Sequence, residues 1–207
     1  MAIPDEIWQM KNVRIISEDP VTRRTEFQYT RPAGKIGVNI GSGQRPFESV
    51  FPEIRWINVD KVSREGSVPD ICCDGTHLPY EDTMADYFVL GQVYEHFGCG
   101  EAYHLIKEAH RVLRKGGSLI ISVPNMMALA QRWVSGQISE YIFMVNTYGA
   151  YMGNEEDRHK WGTTPESLAT DLMKAAPWHS VRPFDNRVIP GMSMPLDWWI
   201  TCLEAVR

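Results

Sequence analysis

A glycine turn at the end of an apolar run constrains this chain most: Ile36 to Ile40 passes directly into Gly41, Ser42 and Gly43. Glycine lets the backbone adopt positive φ and approach a ligand closely, and open α/β sheets bind ligands at the carboxyl ends of their strands. The turn lacks the third glycine of the dinucleotide fingerprint, because Pro46 precedes any further glycine, and it has no Gly-Lys-Ser/Thr of a phosphate-binding loop. Its surroundings make it informative. An acid, Asp60, closes the next apolar run from Trp56, and another, Asp74, follows Ile71, Cys72 and Cys73.

Reading onward, Trp56 to Val59, Ile71 to Cys73 and Ala85 to Leu90 are expected strands. A short helix is expected over residues 46–51. Ala102, Leu105, Ile106, Ala109 and Leu113 recur at helical spacing, predicting a helix over 101–113 that Gly116 and Gly117 terminate. Ser118 to Val123 then reads as a fully buried strand, giving a strand–helix–strand unit of a parallel sheet. Asn125 can cap a helix whose stripe is Met126, Leu129, Ala130, Trp133 and Val134, while residues 136–163 read as irregular. Thr164 and Pro165 start a further helix with Leu168, Leu172 and Met173 on one face. His179 to Phe184 and Leu196 to Val206 are late strands, the second apolar on both sides and so expected inside the sheet. Ahead of all this, Val13 to Ile16 and Thr25 to Tyr29 predict a hairpin, and residues 1–35 are read as an appendage.

The length of 207 residues fits a single domain, 1–207. A net charge of -5 without a Lys/Arg run argues against direct nucleic-acid binding. Four cysteines without a Cys-x-x-Cys spacing, Cys72 and Cys73 being read as buried thiols, fit a cytoplasmic protein. No apolar run is long enough to insert in a membrane, and the amino-terminal residues do not resemble a signal peptide.

Together, Val38 to Gly43, Asn58 to Asp60, Asp74 to Pro79, Asp86 to Phe97 and Arg111 to Gly117 before Leu119 to Pro124 resemble the class I S-adenosylmethionine-dependent methyltransferases of small-molecule type. The resemblance implies an α/β, Rossmann-like fold: a mostly parallel seven-stranded sheet with an antiparallel last strand and helices on both faces. It also implies S-adenosyl-L-methionine as cofactor. Gly41, Ser42 and Gly43 would approach its methionine part, and Asp60, with Lys61 beside it, would take the ribose hydroxyls. Asp74, Gly75 and Thr76 would meet the adenine amino group, Leu78 would form an apolar wall, and Gln92 and Val93 would line the other side. Asn39 stands where the family often carries the acid that opens the glycine motif.

For the acceptor, the expectation is a small molecule, sugar or lipid methylated at oxygen, since Gly91 to Tyr94 replaces the Asn-Pro-Pro-Tyr of base-amino methylation. His96 is the first candidate base, His159 the second, and His96 can equally just shape the pocket. Residues 126–162 are read as a substrate-side cap, with Tyr148, Tyr151 and Trp161 as acceptor contacts or, on the plainer reading, packing for a thin subdomain or homodimer contact. The histidine spacings suggest no metal site. Two other readings stand beside this one: a catalytically degenerate fold serving binding or assembly, and a nicotinamide-dependent oxidoreductase.

Overall fold

The computed structural model describes residues 13–18, 25–29, 34–43, 54–63, 69–150, 155–185 and 199–207. The helix expected over 46–51 and the connection 186–192 between the late strands lie outside them. Strands β1 (Val13–Glu18) and β2 (Thr25–Tyr29) pair antiparallel as a separate two-stranded sheet. The main sheet comprises β3 (Lys35–Ile40), β4 (Ile54–Asp60), β5 (Ile71–Cys72), β6 (Ala85–Gly91), β7 (Leu113–Pro124), β8 (Ser180–Pro183) and β9 (Ile200–Val206). Their order is β5-β4-β3-β6-β7-β9-β8. The pairings through β7 are parallel, and β9 runs antiparallel between β7 and β8, as the expected fold requires.

The order reverses between β3 and β6, so the loops leaving these two strands open a crevice at the carboxyl edge. Period-two alternation sorts the strand residues. Val38, Ile40, Phe88, Leu90, Leu119 and Ile121 face one core, packed by α1 (Cys99–Val112) and α4 (Pro165–Ala175). Asn39 and Asn58 face the other way and are themselves buried. Asn39 Nδ2 donates to Asn58 Oδ1 at 3.0 Å, and Asp70 Oδ2 accepts the Asn58 amide at 2.7 Å and its Nδ2 at 3.2 Å. A buried polar pair is tolerable because it is bonded in this way.

Several expected boundaries move. Helix α1 ends at Val112, before Gly116, because Leu113 already pairs with Ala85 as a strand residue. The register then shifts, Tyr87 pairing with Ser118, so that Arg114 to Gly117 form a bulge in β7 rather than a helix end. Asp86 secures the bulge: Arg114 Nε donates to its Oδ1 at 2.6 Å, and the Ile36 amide to its Oδ2 at 2.9 Å. Cys72 is exposed and Cys73 half-buried, not buried as expected, because β5 has only two residues at the sheet edge.

Asn125 caps α2 (Met126–Val134), its Oδ1 accepting the Ala128 amide at 3.2 Å. Of the expected stripe only Leu129 is buried, Met126 and Ala130 are half-buried, and Trp133 and Val134 are exposed. Residues read as irregular contain α3 (Glu140–Tyr148), capped by Ser139. Its apolar residues surround the helix without a period, and none is buried. Trp133 of α2 stacks on Phe143 of α3 at 4.4 Å. In α4 the buried face is Leu168, Leu172 and Ala175, whereas Met173 is turned out. Among the described residues no helix is long and apolar enough to cross a membrane.

Candidate active site

A cleft of about 240 Å³ opens where β3, β4 and β6 end. Gly41 and Gly43 form its floor, both with positive φ (64° and 48°). A Cβ on Gly41 would strike Val93 Cγ2, so β3 leaves the sheet by a path only glycine can follow. Asp60 braces that turn. Its Oδ2 accepts the Gly43 amide at 2.9 Å and its Oδ1 accepts the Val62 amide at 3.0 Å. Each oxygen keeps acceptor capacity towards the cleft.

Asp74 stands at the other end. Its Oδ1 accepts the Thr76 amide at 2.9 Å and the Thr76 hydroxyl at 2.8 Å. Burial would raise its pKa, but the two Thr76 bonds and the charges of Lys61 and His77 outweigh it, and the carboxyl lies below its ordinary range. Gln92 is a non-glycine residue at φ 58°, held by its amide to the Ser122 carbonyl at 2.9 Å. Lys61 crosses the cleft to Glu156 at 3.4 Å.

A buried polar group lies behind this wall. Tyr94 to His96 form a 3-10 turn after β6. The Glu95 carbonyl accepts the Lys160 amide at 2.7 Å and the Trp161 amide at 3.1 Å, fastening residues 155–161 over the turn. The Glu95 side chain is 2% exposed, and neither carboxylate oxygen has a hydrogen-bond partner among the described residues. Burial, weakly opposed by its own backbone amide, pushes its pKa up to about 8. The His96 and His159 rings meet edge to face at 4.8 Å. Burial lowers both: for His96 the charge of His159 adds to it against backbone bonds from Arg158 and Glu156 and the charge of Asp157, and for His159 the Asn146 carbonyl opposes it.

Of the residues singled out in the sequence, Gly41, Gly43, Asp60, Lys61, Asp74, Gly75, Gln92, Val93 and His96 line the cleft. Ser42 is buried beneath it, donating its amide to Val59. Thr76 serves Asp74 instead of the cleft, its amide being used in the turn. Leu78 belongs to the core, where Glu108 Oε1 accepts its amide at 2.7 Å, and Ile40 and Phe97 supply apolar wall in its place. His159 sits behind His96, while Tyr148 and Trp161 are on the outer surface. Tyr151 lies outside the described residues. Glu101, Glu156, Asp157 and Lys160 also reach the cleft and were not singled out as cofactor or substrate contacts, since only tertiary packing carries them there.

A family profile described as "Methyltransferase domain" matches residues 47–121. A solved S-adenosylmethionine-dependent methyltransferase from Archaeoglobus fulgidus superposes with a TM-score of 0.57 at 14% identity, over 84% of this chain and 86% of that one. This is the Rossmann-like methyltransferase fold. The profile and the fold support an S-adenosylmethionine-dependent methyltransferase, and the cleft fits that cofactor: a glycine floor with no room for a side chain at Gly41, and one carboxylate at either end.

A tRNA (carboxymethyluridine(34)-5-O)-methyltransferase of Saccharomyces cerevisiae is 29% identical over 47% of this chain and 38% of that protein. The one of Schizosaccharomyces pombe is 27% identical over 47% of this chain and 46% of that protein. A Mus musculus protein of the same named activity is 23% identical over 90% of this chain and 30% of its own length. The chain thus spans less than half the length of these relatives.

They overturn the expectation of a small-molecule, sugar or lipid acceptor and, with it, of a chain without a nucleic-acid partner. Charge does not carry this correction: beside Lys61 and Lys160 the cleft is lined by Asp60, Asp74, Glu101, Glu156 and Asp157, and the correction rests on the relatives. The motif after β6 lines the cleft through Gln92 and Val93 and carries no record of what the acceptor is attached to. The reading as a nicotinamide enzyme yields to the methyltransferase profile.

Proposed function

We propose that this chain transfers a methyl group from S-adenosylmethionine to an RNA-borne acceptor, the carboxymethyl group of a tRNA uridine. The observation that carries this reading is the activity named for its relatives in three organisms. The cofactor, when bound, supplies a methyl group activated by a sulfonium.

The chain's own residues bind, orient and exclude water. Gly41 and Gly43 let the backbone approach the methionine portion, and Asp60 accepts from the ribose hydroxyls while it holds the turn. Asp74, its Oδ1 engaged by Thr76, offers Oδ2 to the adenine amino group between Ile40 and Phe97. An acceptor carboxylate, with an ordinary pKa of about 4, is already ionised near neutrality and needs no base. His96 is then a wall of the site, and Lys160, together with Lys61 once it leaves Glu156, is the cation that orients the carboxylate. Residues 126–162 form the substrate side, where exposed Tyr148 and Trp161 offer ring faces on which bases can stack.

The test is transfer of labelled methyl from S-adenosylmethionine to tRNA bearing carboxymethyluridine, with the same tRNA lacking the modification and the free nucleoside as comparisons. Label should enter only the modified tRNA and leave in mild alkali, as an ester methyl does. Binding of the cofactor by calorimetry without any label in RNA would reject the acceptor.

A further inference from the structure

We propose that Glu95, His96 and His159 form a site for one divalent first-row metal ion of the zinc kind. One ligand atom from each of the three lies within 4.8 Å of the others. Two imidazoles and a carboxylate are the donor set of borderline divalent ions, and with three protein ligands such an ion keeps a position for water. Bonds of about 2.0–2.1 Å place tetrahedral ligand atoms roughly 3.4 Å apart, which small side-chain rotations reach.

The surroundings single out these three. Glu95 has both oxygens inside the protein without a hydrogen-bond partner among the described residues. A buried carboxylate without a donor is costly, and a cation within reach removes the cost. Each histidine has one nitrogen directed to main chain and the other available. His159 Nδ1 lies 2.9 Å from the Asn146 carbonyl, which as acceptor fixes the proton there and leaves the Nε2 lone pair. His96 Nδ1 is buried without a partner, while backbone groups of Arg158 and Glu156 bond the ring. A carbonyl holding the far nitrogen is the usual support of a metal-bound imidazole.

The ligands come from two segments: Glu95 and His96 from the turn after β6, His159 from the segment that covers it. An ion there ties these segments together beside the cleft that His96 lines. Its work is to hold the wall in place. Methyl transfer can proceed through the cofactor residues alone, so the site stands or falls separately from the acceptor.

The experiment is calorimetric titration of chelator-treated full chain with Zn²⁺, repeated on Glu95→Gln and His159→Asn, plus the visible spectrum of the Co²⁺ form. The wild type should bind one equivalent and melt at a higher temperature with it. Each variant should lose more than the about 10–100-fold that outer partners are worth. Glu95→Gln keeps the shape and removes only charge, and circular dichroism confirms folding. If either variant unfolds, the Co²⁺ spectrum of the wild type still reports nitrogen and oxygen ligands directly. No binding to the wild type, equal binding by folded variants, or a thiolate-to-cobalt band placing the ion at Cys72 and Cys73 would overturn the site.

Discussion

The Asp60 carboxylate accepts the Gly43 amide at 2.9 Å, so the acid at the end of β4 holds the glycine turn at the end of β3. One side chain therefore shapes the floor of the cleft and lines it. Asp60→Ala removes both roles. Its affinity for S-adenosylmethionine, measured by calorimetry, should fall by about 2–5 kcal/mol, the usual loss when one partner of a buried charged hydrogen bond is truncated. A folded variant with unchanged affinity would place the ribose elsewhere.

Gly41→Ala tests the floor itself. The new Cβ meets Val93 and sits at φ 64°. Strain in that region is worth about 1–3 kcal/mol, and thermal unfolding should show it together with weakened cofactor binding. Adding Val93→Ala should recover the part due to collision and leave the part due to φ. Full recovery would mean the backbone conformation costs nothing.

Acid stability should depend on Glu108. Its Oε1 accepts the Leu78 amide at 2.7 Å and Arg111 Nη2 at 2.7 Å, and its Oε2 accepts Arg111 Nε at 2.8 Å. Burial would raise its pKa, but the Arg111 and Leu78 bonds and the Arg111 charge prevail and lower it below 4.5. The unfolded chain therefore binds this proton first as pH falls. The stabilisation is complete above the unfolded pKa of 4.5 and is lost as pH drops through the lower folded value. Denaturant midpoints across that acid range should decline less steeply for Glu108→Gln than for the wild type. Equal slopes would assign the acid sensitivity to other carboxyls.

Gly149→Ala should disturb the wall from a distance. Gly149 caps α3 at φ 84°, and a Cβ there would collide with the Asp157 carbonyl and crowd His159. Residues 155–161 would be pushed off the turn after β6, so hydrogen exchange at the Lys160 and Trp161 amides, which donate to Glu95, should accelerate. A penalty of roughly 1–3 kcal/mol in stability is expected for an L-residue forced into this conformation. Unchanged protection of those two amides would show that the segment is held independently of α3.

What the sequence determined by itself is local and periodic. The α1 stripe of Ala102, Leu105, Ile106 and Ala109, the buried run in β7, and the Asn125 and Thr164 caps are legible because each depends on neighbours within a turn or along a strand. The acid after each early strand was legible too, since strand order alone delivers Asp60 and Asp74 to one edge of the sheet. Tertiary structure decided the rest. Helix α3 has apolar residues all round and no buried face, so no period announces it. The end of α1 shifted because Leu113 found a strand partner in Ala85, which outweighs a glycine stop signal. Glu95 reads as an ordinary acid until Lys160 and Trp161 fold over its carbonyl and His159 arrives beside His96. Burial of a charge is a property of what covers it, and its cover here comes from a distant part of the chain.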